Sequence, residues 1–236
     1  MPALTINSHS SNLKCLDIFF KQMEKCVGVG YFDKIYLLID PVYKTFPEYV
    51  SVINYDPKDS FKDQMTSFLS QIEDEIIMYC NEDYIFYSQA DLNKANTLLA
   101  VLKNTDFSFI KFVHTDIEQY TSVSSNLYLI DKNCTNNFSQ AMSFWKRKDI
   151  LKIHQGCPRS EIGKKGETHG HLELLAREVC RNLNIKGLCY YNGEPKRGEH
   201  HFDTDIFPHI ASALIKGEWN TREYPELTLL LKEQAF

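Results

Sequence analysis

Glu75-Ile76-Ile77-Met78-Tyr79-Cys80-Asn81-Glu82-Asp83 is the stretch on which the fold turns. Ile76–Cys80 is an unbroken apolar run of strand length, which reads as a buried strand. Asn81-Glu82-Asp83 then delivers two carboxylates at what is expected to be its carboxyl end, where open α/β sheets place their ligands. Hard divalent cations that bridge phosphates are held by one or two carboxylates plus the substrate's own oxygens. The acidic tip is therefore a candidate seat for a metal–nucleotide. The plainer reading is a solvated acidic turn.

The segments on either side share this pattern. Ala3–Ile6 is a short strand that runs into the polar loop Asn7-Ser8-His9-Ser10-Ser11-Asn12. Leu13–Lys25 carries apolar residues at helical spacing after a suitable N-cap, Ser11 or Asn12, and Gly28 and Gly30 end it. Lys34–Ile39 and Tyr49–Tyr55 read as strands, and Ser60–Gln71 as a helix with Phe61, Met65, Phe68 and Ile72 on one face. Leu92–Lys103 is a further helix; Ser108–Val113, Asn126–Ile130 and Gly187–Tyr191 are strands. Helices are predicted over Ser139–Ile153, in one piece or two, and over His171–Leu183 and Ile206–Lys216, the last stopped by Gly217. Glu118–Ser125, Gln155–Thr168 and Asn192–Thr204 are polar loops, the second a candidate lid. Alternation of strands and helices with short connections predicts an α/β fold with a mostly parallel sheet wrapped by helices.

The chain has 236 residues, with 43% hydrophobic and 24% charged, which suits one domain with a full core. A net charge of −5 argues against gripping nucleic acid, which needs a basic footprint. Seven cysteines without a C-x-x-C pair, several in apolar stretches, read as buried free thiols in a reducing compartment. Neither a signal peptide nor a membrane span is expected, so the expected location is cytoplasmic.

Each candidate site residue has a structural alternative. Asn7 and Ser8 open the first helix, where amides favour anions, yet simple capping would explain them. The loop matches neither the G-x-G-x-x-G nor the P-loop fingerprint. Asp40 could accept a hydrogen bond from a nucleoside or merely begin the turn at Pro41. Lys62 could meet a diphosphate or solvent. His201, in His200-His201-Phe202-Asp203, could complete a metal site begun by Asp83. His169-Gly170-His171 is a weaker metal pair. Glu173 sits among leucines, where burial would raise it toward duty as a base, and Glu167 stands behind it.

The order of elements, with Leu4–Ser8 and Leu13–Asp17, Lys34–Asp40, Ser60–Met65, Asn81-Glu82-Asp83, Phe144-Trp145-Lys146, and His201–Asp203 with Pro208, Lys216-Gly217 and Trp219-Asn220, resembles the GT-A glycosyltransferases. The resemblance is to the small members encoded by phages and large DNA viruses, and it covers most of the chain. It implies a single GT-A-like domain over 1–236, with a nucleotide-binding half (1–115) and a half (116–236) carrying the acceptor side and a C-terminal metal-ligand loop. Asn81-Glu82-Asp83 stands in the place of a D-x-D motif, with Asn at its first position. The resemblance implies Asp83 and His201 on Mn²⁺ or Mg²⁺, and Asn7, Ser8, Asp40, Lys62 and Glu82 toward a nucleotide-sugar donor, a UDP-sugar first. Glu173 would be the base for inverting transfer to a glycan or other hydroxyl acceptor. A viral origin would put the protein in the host cytoplasm. A sugar nucleotidyltransferase, a metal phosphohydrolase using the histidine clusters, and a non-catalytic nucleotide-sugar-binding domain are the alternatives. The absence of glycine from the loop 7–12 counts against the first of these.

Overall fold

Burial on both faces of the central strands sets the architecture. In β1 (Ala3–Asn7), β2 (Ile35–Ile39), β3 (Val50–Asn54) and β4 (Ile76–Asn81), successive side chains leave opposite faces of one sheet. Leu4, Ile6, Leu37, Met78 and Cys80 join one core, and Ala3, Tyr36, Leu38, Ile77 and Tyr79 the other. Both faces are covered, which is why the β4 segment is apolar without alternation. The computed structural model describes residues 1–113, 117–134, 136–158, 169–198 and 201–233, and only the backbone of 169–171 and 201.

The remaining strands are β5 (Ile85–Phe86), β6 (Phe109–Lys111), β7 (Thr121–Ser122), β8 (Leu127–Ile130), β9 (Ser143–Lys146) and β10 (Gly187–Tyr190). The short pairs β11 (Lys196–Arg197) with β12 (His201–Phe202), β13 (His209–Ile210) with β5, and β14 (Leu214–Ile215) with β15 (Glu218–Trp219) follow. The nine-stranded sheet has the order β3-β2-β1-β4-β9-β6-β10-β8-β7. β3, β2, β1 and β4 run parallel, β9 runs against both its neighbours, and β6 and β10 are again parallel. The fold is therefore α/β, with a mixed, mostly parallel central sheet flanked by helices. Strands from both 1–115 and 116–236 enter this sheet.

Helices α1 (Leu13–Cys26) and α3 (Leu92–Lys103) cover one face, together with α6 (Glu226–Lys232). On the other lie α2 (Phe61–Gln71), α4 (Arg147–Gly156) and α5 (His169–Asn182). Ser60 and Asp91 cap α2 and α3 by accepting from Asp63 N and Lys94 N. Gly28, at φ 85°, closes α1, its N–H bonded to Met23 O at 2.9 Å.

Four predicted segments differ. Ser139–Ile153 divides into strand β9 and helix α4. Phe144 and Trp145 are buried on opposite faces of the sheet. Ile206–Lys216 is not a helix: Pro208 opens it, β13 pairs with β5, and the β14–β15 hairpin ends it. Its apolar residues satisfy contacts with the sheet core rather than a helical stripe. The predicted loops 118–125 and 192–204 contain β7, β11 and β12, and α6 was not anticipated. Residues 159–168 of the candidate lid lie outside the described residues.

Gly187 tests the central packing. A Cβ there would stand 2.3 Å from Phe109 ring atoms. That ring is held against Trp145 at a 4.4 Å centroid separation and has no room to yield. Gly187→Ala is expected to cost about 1–3 kcal/mol through overpacking, lowering the melting temperature by roughly 5 °C. An unchanged melting curve would show that the aromatic pair can shift.

Candidate functional site

Parallel pairing of β1 with β4 aligns their carboxyl ends, placing Asn7 opposite Asn81. The turn beyond is tied down on all sides. Glu82 N donates to Asn7 O at 3.3 Å and Tyr84 N to Asn81 O at 3.2 Å. Cys15 Sγ donates to Glu82 O at 3.2 Å. The Glu82 carboxylate is only 6% exposed and accepts from Asn12 Nδ2 at 2.5 Å. Asn12 occupies the N-cap position of α1 but makes no side-chain cap bond. Its amide serves Glu82 instead.

Asp83 follows, half-buried, with its carbonyl accepting from Ala213 N at 3.0 Å. Burial pushes Glu82 up to about 7, against the lowering effect of the Asn12 bond. Burial, then repulsion from Glu82, pushes Asp83 up to about 8. Two adjacent carboxylates short of solvent and of cationic partners favour a proton or a bound cation.

These groups line a cleft of about 500 Å³ at the carboxyl edge of the sheet. Its polar floor is Asn7, Ser8, Asn12, Asn81, Glu82 and Asp83; Phe61, Leu172, Leu175 and Leu214 form apolar walls. Ser8 Oγ and Asn81 Oδ1 are buried there without a hydrogen-bond partner. Asp40 stands behind the loop, accepting from Ser10 N at 2.6 Å and Tyr55 Oη at 3.4 Å, with His9 Nε2 at 3.9 Å. Burial alone would raise Asp40, but its bonds to Ser10 and the neighbouring His9 outweigh that and hold it below its usual range. Tyr55 and His9 themselves line the cleft.

Lys216 and Gly217 close one side. Both have positive φ, 52° and 81°, the backbone of a two-residue turn joining twisted strands. Sequence reasoning assigned Lys216 to the end of a helix and did not make it a site residue. The Lys-Gly pair between short apolar runs was the signal available.

Asn7, Ser8, Glu82 and Asp83 thus share one cleft, with Asp40 just behind it. Lys62 does not line it, although its neighbour Phe61 does; its amine lies near enough to Cys157 to oppose the burial-driven rise of that thiol. Glu173 also lies outside the lining. It accepts from Gln140 N at 2.7 Å and pairs with Arg177 at 3.8 Å, so its carboxylate ties α5 to the 137–140 segment. Glu167 lies outside the described residues, as do the side chains of His169, His171 and His201. Among the described residues no group of at least three His, Cys, Asp or Glu is poised for a metal. The donor set is nonetheless of the right chemistry for Mg²⁺ or Mn²⁺: two carboxylates and the unpartnered Asn81 Oδ1, all oxygen, with space for ligand oxygens.

No protein-family model matches the chain, and no curated protein matches it by sequence. Solved structures do share its fold. CMP:2-keto-3-deoxy-manno-octonic acid synthetase complexed with CTP superposes with a TM-score of 0.54 at 11% identity, over 100% of both chains. Apo UDP-glucose pyrophosphorylase gives 0.56 at 8% identity, again over 100% of both. S. aureus TarS 1–349 gives 0.53 at 12% identity, covering 99% of this chain and 65% of TarS. At these identities the likeness is one of fold. Nothing in these matches supports a viral or phage affiliation. Among the described residues no helix is long and apolar enough to cross a membrane.

The strained carboxylates predict an unusual pH dependence. Between about pH 4 and 8 the folded state holds more protons on Glu82 and Asp83 than the unfolded chain does. Stability then falls as pH rises through that window. In chelator-treated protein, Asp83→Asn is expected to raise the melting temperature at pH 8 by roughly 2–4 °C and to leave it unchanged at pH 5. A variant whose advantage does not grow with pH would contradict this assignment. Glu173→Ala is expected to lower the melting temperature by a similar amount, roughly 2–4 °C, with ligand binding in the cleft intact; loss of binding without loss of stability would reinstate it as a site residue.

Proposed function

We propose that this protein is a metal-dependent glycosyltransferase of the hexosyltransferase type, moving a sugar from a nucleotide sugar, a UDP-sugar first, to an acceptor hydroxyl. The observation that carries this reading is the adjacent carboxylate pair of buried Glu82 and half-buried Asp83 at the carboxyl end of β4, in one cleft with the cation Lys216. Carboxylates in that position repel a diphosphate unless a cation lies between them. Asp83, with Glu82 and Asn81 Oδ1, would hold Mg²⁺ or Mn²⁺, and His201 is the candidate partner from the C-terminal block. Such an ion, when bound, supplies Lewis-acid neutralisation of the departing diphosphate.

The chain's own groups have separate tasks. Asn7, Ser8 and Asp40 would face the nucleoside end, where Tyr55 and His9 also lie. Lys216 would meet phosphate oxygens as a point charge. Leu172, Leu175 and Phe61 would keep water from the reacting carbon, which protects an activated sugar from hydrolysis. Support for a nucleotide sugar also comes from TarS solved with UDP-GlcNAc, which matches 85% of this chain with a TM-score of 0.51 at 12% identity.

The full-length likeness to the synthetase and the pyrophosphorylase favours a second reading, a sugar nucleotidyltransferase, which would join a nucleoside triphosphate to a sugar phosphate and release pyrophosphate. One feature weighs against it: the loop 7–12 lacks glycine. Calorimetric titration of UDP and of GDP, with and without Mn²⁺, on the wild type and Asp83→Ala separates the outcomes. Manganese-dependent UDP binding weakened at least about tenfold in the variant is expected. No binding of either nucleotide would remove the transferase reading, and pyrophosphate release from UTP or CTP with a sugar phosphate would establish the second.

A further inference from the structure

We infer that Lys14 is a positioning residue that holds the Leu214–Trp219 hairpin against α1, fixing the wall of the cleft that carries Lys216 and so the grip on a nucleoside diphosphate. The inference rests on the nucleotide reading above and adds to it the group that sets the cleft's width.

The hairpin cannot hold itself. Its strands have two residues each, paired Leu214 with Trp219 and Ile215 with Glu218, and isolated ribbons even longer than this are marginal in water. Its base is anchored to the acidic turn: Ala213 N donates to Asp83 O at 3.0 Å, Asn220 N to Ala213 O at 2.9 Å, and Asn220 Nδ2 to Ser212 O at 3.2 Å. Its tip is exposed from Ile215 to Glu218. There, Lys14 Nζ donates to Gly217 O at 2.6 Å and lies 5.4 Å from the centre of the Trp219 ring. A charge-assisted bond to a carbonyl and a cation over an indole face both act on the tip. The positive φ of Lys216 is thereby held in a fixed frame.

The place of Lys14 in the chain gives this contact its meaning. Asn12 holds the Glu82 carboxylate and Cys15 holds the Glu82 carbonyl, while Lys14 holds Gly217. One turn at the start of α1 therefore fixes both the acidic floor and the opposite wall. Motion of the tip would change the distance between them, and with it the fit of a diphosphate.

The test is stopped-flow binding of UDP with Mn²⁺, and of GDP and CDP in parallel, read by intrinsic fluorescence. Trp219 borders the tip, while the other tryptophan, Trp145, is buried in the sheet core. Lys14→Met is expected to speed UDP dissociation about tenfold, the scale of one charge-assisted hydrogen bond, with an unchanged association rate and a melting temperature within about 2 °C of wild type. Lys14→Arg, which still donates, should restore most of the loss. In a Lys216→Met background, Lys14→Met should add little, because both act through the same wall. Unchanged dissociation in Lys14→Met, additive losses in the double variant, or a failure of Lys14→Arg to rescue accompanied by lost stability would each overturn the assignment. A wild type that binds none of the three nucleotides would overturn the nucleotide reading itself, an outcome distinct from these.

Discussion

The Glu82 carboxylate is buried, and much of the cleft follows from how that burial is tolerated. A carboxylate this short of solvent must find donors or take up a proton. Its donor is the amide of Asn12, which would otherwise cap α1. Its backbone is bound by Asn7 and Cys15. The start of α1, the end of β1 and the end of β4 are therefore locked together through one residue. Asp83, next in the chain, is projected into the cleft beside it, where burial and then the Glu82 charge keep it from ionising easily.

The same arrangement raises neighbouring acids. Burial and the Glu82 and Asp83 charges push the Cys15 and Cys80 thiols upward, so these cysteines are inert packing groups beside the site. All seven cysteines are free and buried, as their apolar settings in the chain implied. A cation in the cleft would relieve the carboxylate repulsion.

The C-terminal block packs around this centre as short pieces. Tyr87, Arg197, Asp203 and Glu226 form one cluster, with Arg197 stacked 4.3 Å from the Tyr87 ring centre and paired with Glu226. Such cross-chain pairs do not announce themselves in local sequence. The stretch 206–216 illustrates the difficulty: its apolar spacing suits a helix, but Ile206, Phe207 and Ile210 are drawn into the aromatic core around Phe86 and Phe112. Pro208 and Lys216-Gly217 were the local signs of that outcome. Ser143–Lys146 was misread for a similar reason, since a short strand buried on both faces carries no periodicity of its own.

By itself the sequence determined the strand–helix alternation of the first half, the buried thiols and the acidic tip after β4. These are local properties, set by the period of apolar residues and by side chains acting within one turn of the backbone. Only the tertiary structure decided which residues share the cleft. Asn7 meets Asn81 through sheet register, Asn12 reaches Glu82, and Lys14 reaches Gly217, across separations no periodicity records. It also gave the Glu173 carboxylate its partners, Gln140 N and Arg177. Partners distant in sequence compete for every polar group, and the outcome depends on the packed geometry.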